Sequence, residues 1–234
     1  LLFHYTPVAV LNAQNVSLAE ASLQRLMHEI PWGWLIRYVH ATGTSAFFVV
    51  LYAHLWRGLL YGSYKKPREL VWILGVFSFG LLLMEAMSGA ILPWNNSSFE
   101  AASVLSHLVA QMPWLGDFLA TLLRGGKSVS EATLPRVFVL HIVLIPLALT
   151  AIFALHIISA RSVGSTNPQG ILNLPQEETL PFYPYQFLKD AVAIIIFFII
   201  FLSALFFLPE HILLPESLEN AANLPQSQFR PAWY

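Results

Sequence analysis

Four stretches of this 234-residue chain, approximately 33–61, 70–92, 137–159 and 187–208, are apolar and long enough to cross a bilayer, which takes about 20 helical residues. A backbone in lipid must satisfy its own N–H and C=O groups, so such stretches fold as helices, and four of them pack as a bundle. Composition agrees: hydrophobic residues make up 56% of the chain and charged residues 11%, too little polar surface to solvate an ordinary globule. The sequence therefore predicts an all-α membrane protein. Net charge is −1, without a dense basic run, so membrane lipid is an expected partner and nucleic acid is not.

Two of the stretches each carry a pair of histidines. His40 and His54 lie fourteen residues apart in the first, and His141 and His156 fifteen apart in the third. At about 1.5 Å and 100° per residue, these spacings separate the imidazoles by roughly 21 and 22 Å and return them to within roughly 40° and 60° of one face. A lone membrane histidine is as readily a hydrogen-bonded structural residue as a ligand. Two matched pairs favour ligands, because ionisable groups inside a membrane are costly without a role. The first and third stretches are separated by one reversal and its return, so they run in the same direction. His40 is then level with His141, and His54 with His156. Since cysteine is absent, thiolate sites, iron–sulfur clusters and thioether-linked haem are excluded. The expectation is a transmembrane helical bundle enclosing two stacked b-type haems, each iron held non-covalently by two imidazoles.

Other residues fit that frame. Gly33 and Gly43 precede His40 and His54 by seven and eleven residues, and Gly75 and Gly89 repeat the interval of fourteen. Glycine permits close approach to a flat ring, although membrane helices also use it for ordinary packing. Arg37 and Arg136 precede the outer histidines by three and five residues. They suit haem propionates, or equally lipid headgroups reached by snorkelling. Pro146 should kink the third stretch between the two levels. Glu85, deep in the second, has no assigned role.

Outside the spans, Leu18, Leu23, Leu26, Met27 and Ile30 recur at helical spacing among Glu20, Gln24, Arg25 and Glu29, predicting a surface-lying amphipathic helix over 16–30. The turn over 62–69 holds Lys65, Lys66 and Arg68; with Arg57 and Arg161 it marks the cytoplasmic or matrix side. The loop over 94–136 should contain a surface helix at 101–112, broken after it by Gly125-Gly126. Its length suggests a functional or docking surface. The opening residues, 1–7, read as the tail of an earlier apolar segment.

Several strings resemble cytochrome b of the quinol-oxidising cytochrome bc complexes. They are WLIRYVHATG over 34–43, RGLLYGSY over 57–64, LPW over 92–94, GSTNP over 164–168, PFYPY over 181–185, Lys189-Asp190 and PAWY over 231–234. The resemblance covers nearly the whole chain, dividing it into a haem-binding bundle over 1–170 and a connecting segment with one further span and the start of a quinol-site region over 171–234. It implies a low-potential haem on His40 and His141, a high-potential haem on His54 and His156, and propionate contacts from Arg37 and Arg136. It further implies a quinone-reduction site near Arg161, Ser165, Lys189 and Asp190. A quinol-oxidation pocket follows from the loop after Trp94, including Glu100, and from Ala232, Trp233 and Tyr234.

By that resemblance the chain is an oxidoreductase subunit carrying electrons between the two sites with coupled proton translocation. Ubiquinone or a related quinone would be its substrate. Its partners would be a Rieske-type iron–sulfur protein, a c-type cytochrome and a second copy of itself, in a bacterial plasma membrane or mitochondrial inner membrane. By the resemblance, most of the family's first helix would lie before Leu1 and three further spans after Tyr234.

The departures matter. The family usually carries a glutamate, an acceptor for a quinol proton, where Ala232 stands. Its Trp-Gly appears as Glu100-Ala101, which narrows the pocket where strobilurin-type inhibitors dock. Arg161 and the fifteen-residue spacing resemble the photosynthetic branch. Two other readings remain: a di-haem anchor passing electrons between quinone and a dehydrogenase, and a non-redox membrane scaffold.

Overall fold

The computed structural model describes residues 4–10, 17–164 and 179–208. Seven helices occur among them. α1 spans Leu18–His28, α2 Gly33–Leu60, α3 Glu69–Ile91, α4 Asn96–Ala110 and α5 Gly116–Arg124. α6 runs through Thr133–Ser162, and α7 covers Phe187–Phe207.

Among the described residues, three apolar helical runs meet the length and hydropathy of a membrane span: Glu69–Ile91, Thr133–Ser162 and Phe182–Phe207. The chain is an integral membrane protein. Most of these spans' surface is left outward, as lipid requires; Ile199 and Ile200 of α7, for example, are 60% and 64% exposed. At 28 residues α2 is long enough to cross, about 42 Å. It falls below the other three in hydropathy because Arg37, His40, Thr42, Thr44, Ser45, His54 and Arg57 interrupt its apolar residues. Three spans rather than four therefore stand out by composition.

The described residues form two compact units. One lies within Leu1–Arg37 and Phe77–Ile152, the other within Tyr38–Val76 and Phe153–Leu213. The boundary expected at 170/171 lies outside the described residues.

In the first unit, α1 is the expected amphipathic helix, shortened at both ends. Ser17 caps it by accepting from the Glu20 amide at 3.1 Å. Ala19 and Leu26 are buried, and Ala19 joins Ala9 and Leu134 in one small core. The loop after Trp94 folds into two helices rather than one. α4 begins five residues earlier than periodicity suggests, because the Asn95 side chain accepts from the Ser98 amide at 2.9 Å and caps it. Ile91, Ala101, Ala102, Leu105 and Val137 form the core behind it. α5 stops at Gly125, whose φ of 75° supplies the left-handed cap that ends a helix.

In the second unit, buried Arg68 donates to the carbonyls of Val163 and Gly164. That fork satisfies carbonyls just past the C-terminus of α6, where the helix has no amides left to offer.

Candidate functional site

His141 lies in the first unit, inside a wide helical turn over Leu140–Leu144 closed by the Ile145 amide donating to the Leu140 carbonyl. Such a π turn carries one more residue than an α turn. Pro146 follows at once; having no N–H, it leaves the Ile142 carbonyl without its usual donor, which the local widening accommodates. The turn alters the register of α6. With one of the fifteen residues between His141 and His156 absorbed, the angular offset falls from roughly 60° to the roughly 40° of a fourteen-residue spacing. The two histidine intervals, unequal in sequence, are equivalent on their helices.

The His141 ring is bounded tightly. A Cβ on Gly89 would lie 2.8 Å from His141 Cε1, so only glycine fits there. On the same side of the ring Nδ1 is 3.1 Å from the Glu85 carbonyl, 3.1 Å from Ser88 Oγ and 3.3 Å from Glu85 Oε1.

In the second unit, the His54 and His156 ring centroids are 6.3 Å apart at an interplanar angle of 71°. Imidazole–metal bonds run about 2.0–2.1 Å. Adding about 1.1 Å from nitrogen to ring centre on each side, one iron held between two imidazoles separates their centroids by roughly 6.2–6.4 Å. The observed separation therefore suits shared ligation. Gly75 backs His156 as Gly89 backs His141, with a Cβ there 3.2 Å from Cε1. Nδ1 of His156 is buried with no hydrogen-bond partner among the described residues. Among the described residues no three His, Cys, Asp or Glu side chains converge as a metal cage; a haem iron asks only for axial ligands.

The remaining expected residues are placed as follows. His40 stands in α2, exposed, and a Cβ on Gly43 would meet nothing within 4 Å among the described residues. Gly33 serves helix packing: a Cβ there would run into the Leu26 carbonyl at the end of α1. Arg37 is half-buried. Arg136 is exposed, donates to the Ala132 carbonyl and lies against Gly125. Arg161 closes the last turn of α6, while Lys189 and Asp190 occupy the first turn of α7, all exposed. Asp190 accepts from Gln186 at 2.7 Å. Ser165, Ala232, Trp233 and Tyr234 lie outside the described residues.

Glu100 sits in the first turns of α4, one residue after Phe99, which with Trp94, Ser130, Glu131 and Ala132 lines an open depression of about 600 Å³; Glu100 itself is not among the lining residues. Trp94 holds φ of 53°, a left-handed backbone unusual for an aromatic residue, where the chain turns from α3 into α4. Ser88 and the Ser130–Glu131–Ala132 wall carry no motif of their own, and sequence reasoning passed over them.

The sequence profile of the cytochrome b/b6/petB family matches residues 3–164. The chain belongs to this family. Cytochrome b of Rickettsia conorii is 40% identical over 235 residues, covering 100% of this chain and 57% of that protein. Cytochrome b of Dictyostelium discoideum is 40% identical over 221 residues, covering 94% and 56%, and that of Oryza sativa subsp. japonica 40% over 236, covering 100% and 57%. The chain thus spans little more than half the length of these cytochrome b relatives. A solved chain of a hyperthermophilic respiratory Complex III superposes with a TM-score of 0.83 at 32% identity, covering 99% of this chain and 61% of that one. Membership in the cytochrome b family implies haem b binding, and the imidazole spacing and glycine-backed rings fit that group.

Proposed function

We propose that this chain is the di-haem membrane subunit of a quinol:cytochrome c oxidoreductase, carrying electrons across the membrane between quinol oxidation and quinone reduction, with proton translocation. His40 and His141 hold the outer haem, His54 and His156 the inner one. The observation that carries this reading is the His54–His156 separation of 6.3 Å, which matches two imidazoles on one iron. When bound, the haems supply reversible one-electron transfer.

The chain's own residues do the rest. Gly75 and Gly89 leave the ligand rings room to stand against α3. Arg37 and Arg136 offer guanidinium forks to propionate carboxylates, with Gly33 and Gly43 on the same helical faces as the ligands. Arg161, Ser165, Lys189 and Asp190 present charged and hydroxyl groups to quinone oxygens on the negative side, where the carboxylate can pass a proton and the cations can steady developing negative charge. On the positive side Glu100, Trp233 and Tyr234 wall the oxidation pocket, and Ala232 contributes no base there. The partners are a Rieske-type iron–sulfur protein, a c-type cytochrome and a second copy of the chain.

In intact complex or membranes, a reduced-minus-oxidised spectrum should show two b-type haems. H54L should remove the inner haem and leave the outer. Absence of b-type absorbance would end the haem reading, and equal loss of both haems from a folded H54L protein would refute the level assignment. The missing acid at Ala232 favours one second reading, a di-haem anchor without bifurcation. Oxidant-induced haem b reduction with the quinone-reduction site blocked is expected of the first and absent from the second.

A further inference from the structure

Glu85 is a carboxylic acid inside a membrane span, in the C-terminal half of α3, where such a group is expensive unless it serves a purpose. Its surroundings identify one. The residue presents two oxygens to the same imidazole nitrogen: its main-chain carbonyl lies 3.1 Å from His141 Nδ1, and its Oε1 lies 3.3 Å away. Ser88, one turn further along α3, places Oγ 3.1 Å from that nitrogen and donates its own proton to the Glu85 carbonyl at 2.8 Å.

These contacts decide the tautomer. A carbonyl can only accept, and the Ser88 hydroxyl proton already points at that carbonyl, leaving its lone pairs toward the ring. A bare lone pair on Nδ1 would face oxygen lone pairs, so the proton sits on Nδ1. Nε2 is then the nitrogen that carries the ring's lone pair, the one an iron requires. The other level lacks this support: His156 Nδ1 is buried with no hydrogen-bond partner among the described residues. The two glycine-backed histidines are therefore alike in shape and unlike in electronic support.

We propose that Glu85, with Ser88, is the positioning residue for His141, fixing its Nε2-ligating tautomer and making it the more electron-donating ligand, so that the haem bound there has a lowered midpoint potential. The inference rests on His141 being an axial ligand. An acceptor on the far nitrogen raises the basicity of a ligating imidazole, and a more basic ligand favours the ferric state.

The test uses the intact complex carrying E85Q, E85A or S88A, with haem content measured alongside redox titration of each haem band. E85Q keeps the size and the main-chain carbonyl while removing the carboxylate. It should retain both haems and shift the ferric/ferrous equilibrium of the outer one about tenfold toward ferrous, about 59 mV for a one-electron couple. The inner haem should stay where it was. E85A should shift the outer haem in the same direction, or lose that haem alone, and S88A should shift it less than E85Q. An unchanged outer potential in both Glu85 variants with full haem content would overturn the proposal, as would equal shifts at both haems. Failure of the underlying reading looks different: H141L would then leave both haems in place.

Discussion

Replacing Gly89 with alanine should cost the protein its outer haem, and the same change at Gly75 should be far milder. Carbon atoms pack best at about 3.5–4.0 Å. The Gly89 methyl would stand 2.8 Å from His141 Cε1, an overlap of about 0.7 Å, while the Gly75 methyl would stand 3.2 Å from His156 Cε1, an overlap of about 0.3 Å. Overlap matters only if the ring cannot swing aside. His141 is pinned at Nδ1 by the Glu85 carbonyl and Ser88, each at 3.1 Å, whereas His156 Nδ1 has no hydrogen-bond partner among the described residues. Overpacking of a fixed ring costs about 1–3 kcal/mol, against a gain of about 1 kcal/mol from replacing a helical glycine by alanine. Gly89→Ala should therefore lose up to about 2 kcal/mol. Gly75→Ala should come out neutral or slightly stabilised. Haem per protein, read from the two b bands in purified complex, together with detergent-phase thermal unfolding, measures both. Full outer-haem content and unchanged unfolding in Gly89→Ala would show that the ring moves freely, and would refute the account of the Nδ1 contacts as a clamp.

Three other outcomes are expected. Ala101 is buried in the apolar cluster that shares Trp94 with the nearby depression; the intact complex should resist strobilurin-type inhibitors, and Ala101→Gly should restore sensitivity by about 10–200-fold, the range that one methyl makes in a pocket, whereas full inhibition of the unaltered complex at ordinary doses would refute this. Arg68→Leu removes a buried charged donor from the Val163 and Gly164 carbonyls; it should lower stability by about 1.5–3 kcal/mol in detergent-phase unfolding, and an unchanged melting temperature would count against the cap. Burial holds the Glu20 carboxyl above the ordinary glutamate range; its contribution to α1 docking is thus complete below that range and lost as pH rises through the raised value, so hydrogen exchange over 17–28 should quicken with pH beyond its intrinsic dependence, and Glu20→Gln should abolish the excess.

What could be read in the sequence was whatever depends on composition and local spacing. Long apolar runs oblige helices in lipid, so the spans were legible, and the histidine intervals were legible because a helix turns a count of residues into an angle and a depth. The same local logic located α1. It missed the start of α4, which a cap at Asn95 sets in place of hydrophobic periodicity, and it missed α5 as a helix, although Gly125, read as a break, does end it. It placed α2 to within a residue of its observed ends, although polar residues lower that helix's hydropathy. The fifteen-residue interval is the most instructive case. Taken as uniform helix it puts His156 farther round than His54 stands from His40; the wide turn at Leu140–Leu144 stores the extra residue and removes the discrepancy. Nothing in the sequence marks that turn except Pro146 just beyond it, a residue equally at home in a simple kink. Glu85 was visible only as an anomaly for a different reason. Its partner is 56 residues away on another helix, and the contact depends on which way one imidazole edge faces. Periodicity can predict which residues share a face, but only packing decides which nitrogen of His141 meets an oxygen. The features that distinguish the His141 level from the His156 level reside in those contacts, while the register of the histidines resides in the spacing.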